Sequence, residues 1–273
     1  MKISVIVSAY KNVRELDFTL HAYGLQSMPV HELIVAQDGD FSAISDVVRR
    51  HQAAYQGIKH IWHEDIGFRK CLILNKALVQ ATGDFIVFTD ADCVPRRDVV
   101  ERFAALAKPR RFVSGGSHIN LPASFHADHL TPALIQTQSI FDPSWLAARG
   151  VAVPKLRMLP AKHAGWASML DTLSPRNAFV GNLSGAWKDD LLRVAGFDES
   201  FGYGGEDRNL GFRLNNAGIQ GLRARHQLVC LHLDHQRPWR NDEQMQANQK
   251  LNQHVKRSKV ILPRQSILLS SSL

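Results

Sequence analysis

Apolar residues fall along the first 117 positions in two alternating rhythms. Short runs at Ile3 to Ser8, Glu32 to Ala36, Lys59 to Trp62, Asp84 to Thr89 and Arg111 to Val113 have the length and composition of strands. Between them, Ala43 to Tyr55, Lys70 to Gln80 and Asp98 to Ala107 carry apolar residues at helical spacing, and Pro95 marks the turn into the third helix. Strands alternating with helices predict an α/β fold with a mostly parallel central sheet flanked by helices. Such sheets bind ligands beyond the carboxyl ends of their strands. Ser8-Ala9-Tyr10, Gln37-Asp38-Gly39-Asp40 and Asp90-Ala91-Asp92 all fall at such ends and together predict a nucleotide cleft.

From His118 to about Arg176 the rhythm fades into histidines, prolines and scattered aromatics, and no elements are assigned. Regularity returns with helices expected over Trp187 to Ala195 and Glu206 to Ala217, each followed by a glycine, Gly196 and Gly218, at the cap position. Leu228 to Leu233 reads as a strand. From Asn241 the chain is polar and helix-compatible, closing on Ile267-Leu268-Leu269 and serines.

Composition narrows the class. With 273 residues, 45% apolar and 21% charged, the chain can bury a substantial core. Its longest apolar runs fall far below the ~20 residues of a membrane-spanning helix, so no integral membrane segment is expected. The apolar run near Met1 is too short for a signal peptide and reads as a first strand. Cys71, Cys93 and Cys230 have no metal-binding spacing and fit buried positions in a reducing cytoplasm. A formal charge of +8 suits an anionic ligand, acceptor or lipid surface. The cations are dispersed, from Arg96-Arg97 to Lys256-Arg257, outside any nucleic-acid module, which argues against a nucleic-acid partner. The expected location is the cytoplasm, with peripheral contact to an anionic inner membrane. Failure to float with anionic liposomes at low salt would sink that contact.

Three clusters carry candidate chemistry. Asp90 and Asp92 emerge where the strand Phe85-Ile86-Val87-Phe88 meets the cleft, and paired carboxylates suit Mn²⁺ or Mg²⁺ beside a departing diphosphate. Alone, the same pair could cap a turn. In Gly204-Gly205-Glu206-Asp207, two glycines allow close backbone approach and two acids open a helix, where they complement its dipole or serve as a base. In the third, Leu231 to Pro238, His232 and His235 would face opposite ways on a regular strand and share one ion only if the strand has ended, which Pro238 permits. His118, His126, His129 and His163 read as solvated. Tyr203 and Trp187 could stack on sugar rings or belong to the core.

These motifs, with Gly67-Phe68-Arg69-Lys70, Leu74-Asn75-Lys76-Ala77, Gly181-Asn182-Leu183-Ser184 and Gly196-Phe197-Asp198-Glu199, occur in an order that resembles family 2 glycosyltransferases of the GT-A (nucleotide-diphospho-sugar transferase) fold. The galactosyltransferase-like C-terminal region is similar to that of bacterial chondroitin polymerase-type enzymes. The resemblance implies one catalytic domain over 1–240, with a nucleotide-binding half to 117 and an acceptor-binding, catalytic half from 118, followed by a polar helical tail over 241–273. It further implies an inverting, metal-dependent transfer from a UDP-sugar to a glycan or lipid-linked saccharide, as in polysaccharide biosynthesis. Asp38 would contact uracil, and Arg69 and Asp90 the nucleotide, with Ser8, Ala9, Tyr10, Asn75, Ala91 and Asn182 completing the donor site. Asp92 and His235 would hold Mn²⁺ or Mg²⁺, joined by Asp90 and His232. Asp207 would be the base and Glu206 would bind a sugar. Gln37-Asp38-Gly39-Asp40 stands where many members carry Asp-Asp-Gly-Ser. Rival readings are a haloacid-dehalogenase-like phosphohydrolase, which shares the Asp-x-Asp pattern, and a non-catalytic carbohydrate-binding protein.

Overall fold

The computed structural model describes residues 1–55, 57–115, 117–151, 163–173, 178–235 and 241–269. The chain begins β1 (Ile3–Ala9), α1 (Val13–Gly24), β2 (Glu32–Asp38), α2 (Ser42–Ala54), β3 (Ile58–His63), α3 (Lys70–Gln80), β4 (Phe85–Asp90), β5 (Cys93–Pro95), α4 (Val99–Leu106) and β6 (Arg111–Ser114). The faded segment contains β7 (Ser117–Leu121), α5 (Ala123–His129), α6 (Pro132–Gln136), a 3₁₀ turn, α7 (Pro143–Ala147) and α8 (Ala164–Thr172). The chain continues through β8 (Leu183–Trp187), α9 (Lys188–Arg193), α10 (Glu206–Asn216), β9 (Gln220–Arg223), β10 (Val229–Leu233) and α11 (Asp242–Ser258).

The main sheet has the order β3-β2-β1-β4-β8-β6-β9. Strands β1 to β4 are parallel, while β8 runs antiparallel between β4 and β6. Burial on both faces explains the near-continuous apolar runs. In β1, Ile3, Val5 and Val7 pack with α1, α2 and α4, while Ile6 meets α3, α9 and α10 on the other side. A smaller sheet, β5-β10-β7, is covered by α5 to α7. Among the described residues no helix is long and apolar enough to cross a membrane.

Three differences from expectation have local causes. Helix α1 was not predicted, because its buried Leu16, Phe18, Leu20 and Ala22 alternate like a strand while Thr19 and Tyr23 complete the helical face. The helix expected from Trp187 begins at Lys188: Trp187 is still paired with Phe85, and Lys188 N–H donates to Asp84 O. The polar helix of the expected tail packs against α10, and Ser266 and Leu268 beyond it are buried in the main body.

Candidate active site

Ser8 and Asp90 are register partners at the carboxyl end of the parallel β1–β4 pair. Ala91 N–H donates to Ser8 O at 2.8 Å, so the chain turns directly over the sheet edge toward β5. Strand β10 runs antiparallel to β5 with His232 opposite Cys93, which sets His232 beside Asp92. The strand ends at Leu233, whose N–H donates to Asp92 O. That ending frees His235 to turn back, and its Nε2 lies 2.8 Å from Asp92 Oδ2, with His232 Nε2 at 3.5 Å from the same oxygen. Ligand-capable atoms of these three residues all lie within 4.8 Å of one another, as do those of Asp90, Asp92 and Cys93. Burial opposes ionisation of Asp92, but hydrogen bonds from the two histidines outweigh it and hold the carboxyl well below the usual range. Gln236 to Pro238 lie outside the described residues.

The facing wall is built on α10. Gly204 and Gly205 have φ of +99° and +91°, where a Cβ is disfavoured. A Cβ on Gly205 would also lie 2.9 Å from Asn252 Nδ2. The buried Asn248 amide donates to the carbonyls of Gly202, Tyr203 and Gly204 at 3.4, 3.2 and 2.9 Å, and Asn252 Nδ2 donates to Gly205 O at 2.9 Å. Helix α11 thus clamps the glycine turn through side-chain amides.

Beyond the turn, Glu206 is buried and accepts from Gly204 N–H at 2.9 Å, whereas Asp207 is partly exposed. Asp207 Oδ2 accepts from Gly181 N–H at 3.0 Å and Oδ1 from Arg208 N–H at 2.6 Å, which fixes the carboxylate against the loop entering β8. Burial, then the neighbouring Asp207, push the Glu206 carboxyl up to about 7. Lys70 Nζ stands between the two walls and donates to Asp90 Oδ1 at 2.6 Å. Its burial disfavours the charge, but Asp90, Glu206 and Asp207 more than compensate and raise its pKa.

Ser8, Ala9, Tyr10, Asp38, Asp90, Ala91, Asp92, Asn182, Glu206, Asp207, His232 and His235 line a single cleft. Its volume, about 1430 Å³, exceeds the ~300–1,000 Å³ of a typical small-molecule site, leaving room for two substrates. Asp90, Glu206 and Asp207 surround Lys70, and Asp92 adds a fourth carboxylate to the same cleft, so a divalent cation would ease the entry of an anionic diphosphate. Carboxylate and imidazole ligands together suit Mn²⁺ better than the oxygen-seeking Mg²⁺.

Residues 4–142 match the family described as Glycosyl transferase family 2. The chain belongs to this family. Residues 166–236 match a second family, described as the N-terminal domain of galactosyltransferase. Validoxylamine A glucosyltransferase of Streptomyces hygroscopicus subsp. jinggangensis is 27% identical over 232 residues, covering 80% of this chain and 52% of that protein. The uncharacterized glycosyltransferase YfnE of Bacillus subtilis is 25% identical, covering 91% and 69%. The chain spans about half the length of the validoxylamine A glucosyltransferases it matches. Among solved structures, Staphylococcus aureus TarS 1-349 in complex with UDP-GlcNAc superposes with a TM-score of 0.62 at 14% identity, over 95% of this chain and 69% of that one. The mannosyltransferase PcManGT of Pyrobaculum calidifontis, in complex with GDP-Man and Mn²⁺, gives 0.58 at 22% identity, over 87% and 58%. These likenesses carry the GT-A fold, and family membership displaces the phosphohydrolase reading.

Within this family 2 chain, two expected donor residues do not line the cleft. Asn75 is fully buried: its Nδ2 donates to Phe197 O, Glu199 and Ser266, while its Oδ1 accepts from Phe197 N–H. Arg69 turns its guanidinium to Glu64 O, and its N–H donates to Asp38 Oδ2. The cation beside Asp90 in the cleft is the next residue in the same motif, Lys70, which sequence reading passed over. Asp38 reaches the cleft, but its other oxygen is held 2.7 Å from His63 Nε2, so both of its oxygens have protein partners. Tyr203 lines the cleft edge-on to Phe68, whereas Trp187 packs on Phe85 and donates Nε1–H to Lys108 O. His129 and His163 are exposed, while the side chains of His118 and His126 lie outside the described residues.

Proposed function

We propose that the chain transfers a sugar from a nucleotide diphosphate donor, UDP-linked by preference, to a hydroxyl of a glycan or lipid-linked saccharide with inversion at the anomeric carbon. The observation that carries this reading is the placement of the Asp92–His232–His235 cluster and Asp207 in one cleft, with Lys70 between them. Asp92, His232 and His235 would hold Mn²⁺, which when bound neutralises the charge of the departing diphosphate. Ser8, Ala9 and the ends of β1, β2 and β4 cradle the nucleotide, and Lys70 holds Asp90 in place beside it. Asp207, oriented by the N–H groups of Gly181 and Arg208, accepts the proton of the acceptor hydroxyl as that oxygen attacks. One base suffices for single displacement, in contrast to the paired carboxylates of a double displacement. The buried Glu206, held partly neutral, can donate a hydrogen bond to a sugar oxygen.

Nucleotide release across a panel of UDP-, GDP- and other nucleotide-sugars with Mn²⁺, with and without glycan acceptors, tests the reading. Asp207→Asn should lower acceptor-dependent turnover by at least about a hundredfold while leaving nucleotide binding intact. Retained turnover would refute the base assignment. Nucleotide-sugar binding without release of any donor would favour the carbohydrate-binding alternative.

A further inference from the structure

Helix α11 presents two rows of amides with different roles. Asn248 and Asn252 are buried and spend their donors on the glycine turn. Gln246, Gln249 and Gln253 are exposed and line the cleft, and their side chains have no hydrogen-bond partner among the described residues. Spacings of three and four residues put these glutamines on one face, and at 1.5 Å per residue the row extends for about 10 Å. That is longer than a single sugar ring. We infer that this glutamine row is the binding surface for the body of the acceptor, and that the acceptor is an uncharged oligosaccharide.

The inference rests on the transfer reading above and deepens it. The nucleotide end of the cleft is formed by the carboxyl ends of β1, β2 and β4, whereas α11 packs on α10, which carries Asp207. A hydroxyl that gives its proton to Asp207 must therefore lie near the start of α10, and the rest of its molecule has the glutamine row as the adjoining wall. Each glutamine offers an N–H pair and a carbonyl oxygen, matching sugar hydroxyls that both donate and accept. Recognition of a phosphate- or carboxylate-bearing acceptor would call for arginine or lysine along the row. Along the row itself Lys256 stands only at the end, with Nζ 6.0 Å from the Phe212 ring centroid, and the exposed Arg208 lines the cleft from α10, off the row. The amides carry no charge to repel a neutral glycan or to demand a counter-charge.

The test compares the intact chain with the variant Gln246→Ala/Gln249→Ala/Gln253→Ala on an array of neutral and anionic oligosaccharides of increasing length, with Mn²⁺ and UDP present. UDP–Mn²⁺ affinity is measured by titration calorimetry in parallel. Alanine at exposed helical positions preserves the helix. The wild-type chain should retain neutral glycans with affinity rising with ring number. The variant should lose this by about tenfold or more, at about one lost hydrogen bond per glutamine, with UDP–Mn²⁺ binding unchanged. Equal glycan binding by the two proteins, binding confined to anionic glycans, or no glycan binding while UDP–Mn²⁺ binds would overturn the inference. Absence of nucleotide binding in both proteins would count against the transferase reading itself and remove the ground for this one.

Discussion

Replacing Glu206 by glutamine should change how stability depends on pH, with a sign that burial dictates. The Glu206 carboxyl rises from 4.5 to about 7 on folding, chiefly through loss of water and secondly through Asp207. Below pH 4.5 both folded and unfolded chains hold the proton, and Glu206 adds no pH dependence. Between 4.5 and about 7 the unfolded chain ionises while the folded chain keeps its proton, so stability falls as pH rises. Above about 7 both are ionised and the loss is complete, at about 3 kcal/mol from the difference between the two values. Glutamine resembles the neutral acid and does not titrate. The stability of Glu206→Gln relative to wild type should therefore grow by about 2 kcal/mol between about pH 5.5 and about pH 8. Urea unfolding of both proteins at the two pH values reads this, since titrating groups remote from Glu206 are common to both and cancel. In thermal melts the same difference amounts to about 4–8 °C. A stability difference that stays constant with pH, or shrinks as pH rises, would refute the buried, proton-holding Glu206.

The remaining predictions concern the two walls of the cleft. His235→Ala should weaken Mn²⁺-dependent nucleotide binding by at least about tenfold while leaving metal-free nucleotide binding unchanged, and an unaltered Mn²⁺ titration would remove His235 from the ligand set. Asn248→Ala strips a donor from three carbonyls and should cost about 1–3 kcal/mol in unfolding free energy. It should also lower turnover more than donor affinity, because the turn it holds leads into Asp207; equal effects on both would show that the clamp does not position the base.

Legibility in the sequence followed the kind of force each element uses. Strands β1 to β4 were readable because burial on both faces demands unbroken apolar runs, and the residues that line the cleft follow them at the sheet edge. Helix α11 hid its role because two of its three buried residues, Asn248 and Asn252, are polar: hydrogen bonds to backbone carbonyls dock it, and hydropathy cannot register these. Asn75 misled for the same reason. A buried amide within a motif can serve a ligand or the backbone, and here Phe197, Glu199 and Ser266 take it. The substitution of Lys70 for Arg69 as the cation beside Asp90 turns on a single helical step, since the first residue of α3 faces Asp90 while its predecessor faces Glu64. The convergence of His232 and His235 depended on where β10 stops, which residue spacing alone leaves open.

The antiparallel strand β8 has a consequence for the order of folding. It joins β4 to β6 through pairings such as Phe85 with Trp187, far apart in the chain, as are β1 and β4, whereas the β1–β2 and β2–β3 pairings join close neighbours. Closing so long a loop is entropically slower than assembling adjacent units. The β1–β2–β3 unit should therefore form first, and insertion of β8 should bring Gly181 up to Asp207 afterwards. Pulsed hydrogen exchange during refolding should find β1 and β2 amides protected before those of β8, and simultaneous protection would contradict that order. The seam between β4 and β8 would then act as a kinetic checkpoint, so that the two walls of the cleft meet only after the first three strands are in place.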